Sequence, residues 1–291
     1  MENKIIGLIT DFGLKGLHYV AAMKSIIYSI NPSIKIIDIN HSINSYNQIE
    51  ASFIIFYSIQ NLPKNSIIIC VVVPGVGTLR SILGVKIEIN ETEKIVIGPN
   101  NGIFSLLKIE NENSRLMDFK IIEIREISNE NLYFKLNGTI SNTFHGRDIM
   151  APVAAHIFTD SKFEDVGKNI SVENLINLIP SNSFNLNEKI IETSILYIDE
   201  FGNCVLNMTY NELNNFIKSF KSNKYKIYFS KNKKRYFREL KLISTFEDLE
   251  NNQIGILKGS SGFLELCLKR KNLSKFLNLK INAKIYLKID I

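Results

Sequence analysis

The segment IIGLITDFG at residues 5–13 decides the fold class of this chain. Residues 5–10 form an unbroken apolar run before a polar turn, which is typical of a buried strand in a parallel sheet. Residues 20–30 then carry apolar side chains at helical spacing, and Asn31 followed by Pro32 predicts the end of that helix. A strand followed directly by a helix is the first unit of an α/β fold.

Strand and helix patterns keep alternating through the first half of the chain. Residues 34–39 and 66–73 have the composition of buried strands, and residues 47–60 between them carry apolar side chains at helical spacing. Three further strand-like segments follow at residues 83–89, 94–97 and 121–124, and a helical segment follows at residues 149–158. This order predicts a mostly parallel sheet covered by helices on both faces.

The pattern changes after residues 180–183, where the sequence PSNS predicts a linker. Beyond it, residues 210–220 indicate a helix, and the remaining apolar segments are short and alternate with polar residues. These predicted strands are residues 192–198, 205–208, 225–230, 235–240, 253–257, 263–268 and 284–289. We therefore predict two domains, residues 1–180 and 188–291, of which the second is a small antiparallel β-barrel or sandwich.

The composition is that of a folded protein in a reducing compartment. Hydrophobic residues make up 45% of the 291 positions and charged residues 22%, which are ordinary proportions for a globular chain. No apolar run approaches the roughly 18–20 residues of a membrane helix, and the first apolar stretch is too short for a signal peptide. The three cysteines are far apart and lack metal-site spacing, so we expect free thiols and a cytoplasmic location.

Charge and histidine content argue against nucleic-acid and metal-binding classes. The formal net charge of +6 permits attraction to polyanions without requiring it. The basic and aromatic run at residues 231–238 has side chains that can bind nucleic acid, but such a run is more often the solvated tip of a hairpin. With four histidines in the whole chain, a histidine-rich metal site is not expected.

Asp11 directly follows the first predicted strand and has two interpretations. In open α/β sheets, ligands bind beyond the carboxyl ends of the strands. A carboxylate at that place can accept two hydrogen bonds from the diol of a ribose. The alternative is that Asp11 caps the following helix, and its position alone favours the cap.

Three other turns carry side chains or glycines that suit a ligand. The sequence VPGVGTLR at residues 73–80 has two glycines, which let backbone N–H groups approach a ligand or simply form a turn. His145 precedes a predicted helix and is either a proton acceptor or a surface histidine that bonds locally. The sequence DEFGN at residues 199–203 joins two predicted strands and is either a hairpin turn or a site for an amino-acid head group.

These motifs are more specific in their order than any one of them alone. They are TDFGLKG (residues 10–16), INPSIKIIDINHSI (30–43), VVVPGVGTLR (71–80), GPNNG (98–102), TFHGRDIMAPVAA (143–155), YIDEFGNCVLN (197–207) and GSSGFLEL (259–266). The series resembles the S-adenosylmethionine hydroxide adenosyltransferase family, which also contains adenosyl fluorinases and chlorinases. The resemblance implies a Rossmann-like N-terminal domain with a central sheet between helices, and a C-terminal β-barrel. It also implies a homotrimer, with each site between the N-terminal domain of one subunit and the C-terminal domain of the next.

The resemblance assigns roles to residues of this chain. S-adenosylmethionine is the implied substrate, and no separate cofactor, metal or membrane partner is expected. The implied substrate-binding residues are Asp11 at the ribose, Tyr46 covering the ligand, Asp199 and Asn203 at the methionine, Phe201 near the adenine, Ser260 at the methionine carboxylate, and Thr78 and Phe144.

The chain departs from the family pattern at two places. In the hydrolase branch an aspartate, an arginine and a histidine activate water; Arg80 and His145 match the last two, but Val73 stands at the aspartate position. Halogenases carry tyrosine there and lack the histidine, so Val73 fits neither branch. Near the C-terminus, KRKNL at residues 269–273 replaces the family's Asn-x-Gly-Ser-Ala close to the adenine.

The implied activity is hydrolysis of S-adenosylmethionine to adenosine and L-methionine. Water or hydroxide would displace the sulfonium at the ribose C5′ carbon in an SN2 reaction, with Arg80 and His145 as catalytic residues and the rate lowered by Val73. Two alternatives remain: a halide-using synthase of 5′-halo-adenosine, and a non-catalytic protein that binds S-adenosylmethionine or adenosine.

Overall fold

The computed structural model describes residues 4–72, 80–222, 224–231 and 238–291. The chain divides into two compact units, Met1–Leu178 and Ile179–Ile291. Cys70 lies in the first unit and Cys204 and Cys267 in the second, and all three are buried free thiols. Within the described residues, none of the helices combines the length and the apolar character needed to cross a membrane.

A mixed sheet forms the centre of the N-terminal unit. Its strands, within the described residues, are Ile5–Thr10 (β1), Lys35–Asn40 (β2), Ile67–Val71 (β3), Ile82–Ile89 (β4), Thr92–Pro99 (β5), Phe119–Ile127 (β6) and Gly167–Asn169 (β7). They lie in the order β2-β1-β3-β5-β4-β6-β7. The first four in this order are parallel, while β4, β6 and β7 extend the sheet with antiparallel pairs. The predicted parallel sheet is therefore confirmed for one half of the observed one.

The antiparallel half begins at a two-residue hairpin loop between β4 and β5. Asn90 and Glu91 form this loop with φ angles of 47° and 59°, which are the left-handed values that a tight hairpin turn requires. Two residues cannot make the long crossover that parallel neighbours need. The loop length therefore dictates the antiparallel pairing of β4 with β5.

Helices cover both faces of the N-terminal sheet, as predicted. They are Leu17–Ile30 (α1), Gln48–Asn61 (α2), Ser105–Asn113 (α3) and Ala151–Ile157 (α4). Helices α1 and α4 pack together over one face, and α2 packs against α3 and against β1 and β3 on the other. Ile6 and Leu8 of β1 share a buried cluster with Met23 of α1 and Val153 of α4. Because alternate residues of a strand point to opposite faces, both faces of β1 are buried and its run is apolar throughout.

The C-terminal unit is a closed β-barrel, and its described residues include two short helices. Its strands, among the described residues, are Ser183–Asn185 (β8), Ile190–Ile198 (β9), Cys204–Thr209 (β10), Lys226–Ser230 (β11), Arg238–Leu242 (β12), Ile254–Lys258 (β13), Phe263–Leu268 (β14) and Lys284–Asp290 (β15). The order β10-β14-β13-β12-β11-β15-β9 is closed by pairing of β10 with β9, and β8 adds to β9 at the side. The helices are Tyr210–Lys218 (α5) and Leu273–Leu277 (α6).

The barrel differs from the purely antiparallel domain that the sequence predicts at one pair of strands. Strands β12 and β13 are parallel, with Lys241 opposite Gly255 and Leu242 opposite Ile256. The segment between them contains the 3-10 turn Phe246–Asp248, which carries the chain back before β13 begins. An antiparallel hairpin would reverse directly, whereas this longer connection permits the parallel direction.

The basic run at residues 231–238 is described only at its two ends. Lys231 donates to the carbonyl of Leu277 at 3.0 Å, and the Arg238 guanidinium lies 5.9 Å from the centre of the Phe276 ring. Residues 232–237, which include the start of the predicted strand at 235–240, lie outside the described residues.

Candidate functional site

Asp11 lies at the carboxyl end of β1 and binds a loop from the neighbouring connection. The Tyr46 N–H donates to Asp11 Oδ2 at 3.0 Å, and the Asp11 N–H reaches the carbonyl of Val71 at 3.4 Å. The 3-10 turn Leu14–Gly16 leads directly into helix α1 at Leu17. The N-cap residues of the turn and the helix are Gly13 and Gly16, and neither offers a side-chain cap. The interpretation of Asp11 as a helix cap is therefore wrong.

The Asp11 carboxylate has the character of a ligand acceptor. Burial raises the pKa of this carboxyl, and the Tyr46 N–H counteracts the rise. Within the described residues, Tyr46 is the one other residue that donates to the carboxylate. Tyr46 has a φ of 64° and the residue is 62% exposed. The arrangement leaves acceptor capacity on Asp11 beside an exposed aromatic ring, which suits a hydroxylated ring such as a ribose.

A series of hydrogen-bonded polar side chains ends at Thr10, the residue before Asp11. Lys24 Nζ is 2.6 Å from Asp38 Oδ2, and Asp38 Oδ1 is 3.0 Å from His41 Nε2. His41 Nδ1 is 3.0 Å from Thr10 Oγ1, and Thr10 is fully buried. Thr10, Asp38 and His41 lie within two of the quoted motifs, but the sequence assigned them no role, because their contacts join α1, β1 and β2 and leave no spacing signal.

Aromatic rings line the same end of the sheet. Phe12, Tyr19 and Phe144 contact one another with ring centroids 5.2–6.2 Å apart. Arg147 lies over the Phe144 ring at 5.3 Å, and its guanidinium donates to the buried Asp148. The motif at residues 143–148 therefore meets the Asp11 turn through Phe144, as a ligand-binding role for Phe144 requires.

His145 is half-buried next to these rings. It immediately precedes the π-helical turn Gly146–Met150. A Cβ on Gly146 would lie 3.2 Å from the Val71 side chain and 3.3 Å from Met23 Sδ, so this turn packs tightly on the end of β3. Arg80 is exposed. Val73 and Thr78 lie outside the described residues, so the fit of Arg80 and His145 with position 73 stays a prediction.

The second group of predicted residues lies at the hairpin between β9 and β10. The Asn203 N–H donates to Asp199 Oδ1 at 2.8 Å, and Asn203 Nδ2 donates to Asp199 Oδ2 at 2.9 Å. The backbones of Asp199 and Asn203 also pair. Phe201 at the tip is 78% exposed. The hairpin-turn interpretation is correct as geometry, and the turn presents an aromatic ring while holding an aspartate in one orientation.

An open cavity of about 520 Å³ adjoins this hairpin within the C-terminal unit. Phe201 and Asn203 form part of its lining, together with Phe246, Glu247 and residues 268–272. The first four residues of the KRKNL segment, which departs from the family pattern, thus line the same cavity as Phe201. Lys269 forms a 2.8 Å ion pair with Glu247 there. The cavity has the size and the aromatic surface of a small-molecule site.

Ser260 lies in the loop between β13 and β14, close to a carboxylate that the sequence motifs did not assign. Ser260 is exposed while Ser261 is buried. The Glu265 carboxylate lies directly against Gly259, where a Cβ would be 1.9 Å from Oε1. Burial raises the pKa of Glu265, and the charge of Asp199 raises it further. Asp199, the Ser260 loop and Glu265 therefore form one neighbourhood with a negative charge, which suits an ammonium group.

Gly202 is required by this hairpin for two reasons. Its φ is 85°, and a Cβ would lie 2.1 Å from Oδ1 of Asn272. That oxygen caps α6 by accepting the Lys275 N–H at 2.8 Å. We expect Gly202→Ala to lower the free energy of unfolding by about 3 kcal/mol, because it adds backbone strain and displaces a helix cap.

Urea unfolding followed by circular dichroism measures this loss, with Gly138→Ala as the matched control. Gly138 has a similar φ of 79°, and among the described residues no atom outside its two chain neighbours lies within 4 Å of the place that an alanine methyl group would take. The control isolates the backbone strain and should lose about 1 kcal/mol. Equal losses in the two variants would show that the contact with Asn272 is unimportant.

The structure thus brings the predicted residues together as two groups, one in each unit. Asp11, Tyr46, Phe144 and His145 belong to the carboxyl edge of the N-terminal sheet. The other group is Asp199, Phe201, Asn203 and Ser260 at the barrel. Within the described residues, no cluster of histidine, cysteine, aspartate and glutamate is arranged to hold a metal ion.

Comparison with known proteins extends over both units. Residues 6–167 match the family model of the SAM hydroxide adenosyltransferase N-terminal domain, and residues 193–286 match that of the C-terminal domain. The chain is 30% identical over 281 residues to an (R)-S-adenosyl-L-methionine hydrolase of Methanocaldococcus jannaschii. The alignment covers 94% of this chain and 92% of the relative. It is 24% identical over 231 residues to a fluorinase of an Actinoplanes species, which covers 72% of this chain and 74% of the relative.

A solved structure agrees with the same assignment. The crystal structure of an uncharacterized conserved protein from Thermotoga maritima superposes with a TM-score of 0.81 at 28% identity, and covers 97% of this chain and 99% of that one. The two family models together span most of the chain, and the motif order, the fold and the relatives agree. The chain therefore belongs to the SAM hydroxide adenosyltransferase family.

Proposed function

We propose that this protein hydrolyses S-adenosylmethionine to adenosine and L-methionine. The observation that carries the proposal is the Asp11 carboxylate, which lies at the carboxyl end of β1 without capping a helix and faces the Tyr46 loop. An ionised carboxylate that keeps acceptor capacity can take both hydroxyls of a ribose diol. Relatives named hydrolases match the chain over nearly its whole length, which supports the choice of adenosyl substrate.

The proposed reaction forms a bond between a water oxygen and C5′ while the C5′–sulfur bond breaks. The bonding electron pair stays on sulfur, which leaves as the neutral thioether of methionine. Attack by hydroxide on a sulfonium cancels charge in the transition state, so an apolar surrounding such as that of Phe12 and Phe144 favours it. The displacement involves no electron transfer, and we propose no cofactor for it.

In this proposal, His145 accepts the proton of the attacking water and Arg80 stabilises the developing hydroxide. Neutral water is a weak nucleophile, and an imidazole can take its proton near neutral pH. An acid at position 73 would orient this pair, but valine can neither accept a proton nor form a side-chain hydrogen bond. We therefore expect hydrolysis to be slow in the unaltered chain.

The methionine end of the substrate is assigned to the barrel hairpin. We propose that Asp199, held by two hydrogen bonds from Asn203, accepts the ammonium group, and that the Ser260 loop takes the carboxylate. Phe201 and the cavity beside it would receive the adenine. We further propose a homotrimer in the cytoplasm, in which the N-terminal unit of one subunit and the C-terminal unit of the next complete each site.

The test is incubation of the unaltered protein with S-adenosylmethionine in water enriched in oxygen-18, followed by mass spectrometry. We expect adenosine that carries the heavy oxygen at its 5′ position, in equal amount to methionine. Unlabelled adenosine would mean that the oxygen does not come from solvent, and the absence of adenosine at any enzyme concentration would overturn hydrolysis.

Val73 favours a second candidate, a protein that binds the adenosyl ligand without turning it over. Tight binding of S-adenosylmethionine with no product would select this function. The fluorinase relatives suggest one further outcome: 5′-chloro-adenosine formed only when chloride is added would identify a halide as the nucleophile.

A further inference from the structure

The series of polar side chains that ends at Thr10 connects three elements of the N-terminal unit. Asp38 comes from β2, His41 directly follows that strand, and Thr10 is the last residue of β1. The successive distances are 3.0 Å from Asp38 to His41 and 3.0 Å from His41 to Thr10. Lys24 on α1 pairs with the far oxygen of Asp38 at 2.6 Å.

A carboxylate, an imidazole and a hydroxyl in series also occur in hydrolytic triads, where the hydroxyl attacks the substrate. That role does not fit here, because Thr10 is fully buried. Its Oγ1 also accepts the backbone N–H of Phe12 at 3.4 Å. The hydroxyl therefore faces the protein backbone, and the series ends in the chain segment that carries Asp11.

The same series holds the Asp11 segment from both sides. Thr10 Oγ1 receives the Phe12 N–H, and the carbonyl of His41 accepts the Gly13 N–H at 2.7 Å. Gly13 has a φ of 64° and a ψ of −177°, so the chain turns sharply two residues after Asp11. A turn of this kind stays in place when its N–H groups are bonded.

One assignment of protons satisfies every group in the series. His41 donates from Nε2 to Asp38, which leaves Nδ1 as the acceptor for the Thr10 hydroxyl. The Thr10 oxygen then keeps its lone pairs for the Phe12 N–H. A carboxylate that fixes the tautomer of a histidine in this way also fixes the ring orientation.

We propose that Asp38, His41 and Thr10 are positioning residues that hold the Asp11 carboxylate in the orientation needed to bind a ribose diol. This inference rests on the proposed function of the same site. It goes beyond that function by assigning three residues that do not touch the substrate.

The experiment compares the affinities for adenosine and for 2′,3′-dideoxyadenosine, which lacks the diol. The dissociation constant of the dideoxy ligand divided by that of adenosine reports the diol contact alone, because a general loss of structure weakens the binding of both ligands equally. We expect Thr10→Val, which keeps the shape but removes the hydroxyl, to reduce this ratio about tenfold. Thr10→Ser should restore most of it.

Two variants of His41 separate the two halves of the series. In His41→Asn the side-chain amide reaches the place of Nδ1 and can keep the contact with Thr10. In His41→Gln the amide reaches the place of Nε2, so it keeps the hydrogen bond to Asp38 and loses the contact with Thr10. We expect His41→Gln to lower the ratio about tenfold and His41→Asn to lower it less. An unchanged ratio in Thr10→Val and His41→Gln would overturn the proposal.

Failure of the proposed function gives a different result. If the unaltered protein binds both nucleosides equally or binds neither, ribose binding by Asp11 is wrong. The positioning role is then decided by amide hydrogen exchange of Phe12 and Gly13. Faster exchange at these two residues in Thr10→Val, reversed in Thr10→Ser, would support the proposal that Thr10 positions the Asp11 segment. Unchanged exchange would refute it.

Discussion

Val73→Asp is expected to raise the rate of adenosine formation from S-adenosylmethionine by about two powers of ten. In the proposed mechanism, an acid at position 73 orients the imidazole of His145 and balances the charge of Arg80. Removal of an orienting acid from an analogous triad costs several powers of ten in rate. Restoring the acid in a site that has valine should recover part of that factor. Initial rates at saturating substrate, measured by chromatography of adenosine, test this.

Val73→Asn is the matched control for this substitution. Asparagine has nearly the size of aspartate, but it carries no charge and has an amide donor in place of one acceptor oxygen, so we expect it to give no more than a tenth of the gain. Combining Val73→Asp with His145→Ala should remove the gain, because the proposed proton acceptor is then missing. Should Val73→Asp produce no more adenosine than the unaltered chain, the proposed role of position 73 is wrong.

Asp11→Asn is expected to weaken the binding of adenosine about a hundredfold. Charge-assisted hydrogen bonds are each worth about 1.5–3 kcal/mol, and the substitution removes the charge and one acceptor while keeping the volume. A hundredfold change corresponds to about 2.8 kcal/mol, so weakening of two such bonds is sufficient. Isothermal titration with adenosine measures the effect directly.

The binding of 2′,3′-dideoxyadenosine supplies the control for Asp11→Asn. This ligand has no diol, so the parent and the variant should bind it equally. An exposed aspartate of the same unit, replaced in Asp118→Asn, should leave both affinities unchanged. Equal weakening of both nucleosides by Asp11→Asn would mean that Asp11 supports the fold of the site and does not bind the ribose.

Acidification should reproduce part of the Asp11→Asn effect in the unaltered protein. A protonated carboxyl offers fewer acceptor positions to the diol. Because burial raises the pKa of Asp11, the loss of adenosine affinity should begin at a higher pH than for an ordinary aspartate. Affinity for the dideoxy ligand should not follow this change.

Much of the N-terminal fold could be predicted from the sequence because its strands are buried on both faces. Residues 5–10 form a strand with the predicted bounds, because an unbroken apolar run of this length is stable only when both of its faces are buried. Helix α3 was not predicted, because Ser105–Asn113 is short and ends in charged and polar residues. Its burial depends on packing against α2 and β6, which no local pattern reveals.

The site was predictable only in part, for a related reason. The carboxyl end of β1 marks where a ligand binds, but position alone could not separate an acceptor from a helix cap at Asp11. The decisive fact is that the N-cap positions of the helical segment after β1 are Gly13 and Gly16, not Asp11. His41 and Glu265 lie within the quoted motifs, but no role could be assigned to them, because their partners come from distant segments and a single sequence does not show which distant residues meet.

The three cysteines give the molecule a chemical property that is separate from its proposed activity. Burial raises the pKa of Cys70, and it raises those of Cys204 to about 12 and Cys267 to about 11. Since the thiolate is the reactive form, none of these thiols reacts readily while its surroundings stay closed. Cys70 belongs to the sheet and the other two to the barrel. Modification of each therefore records the opening of its own unit, and the chain carries natural reporters of local unfolding.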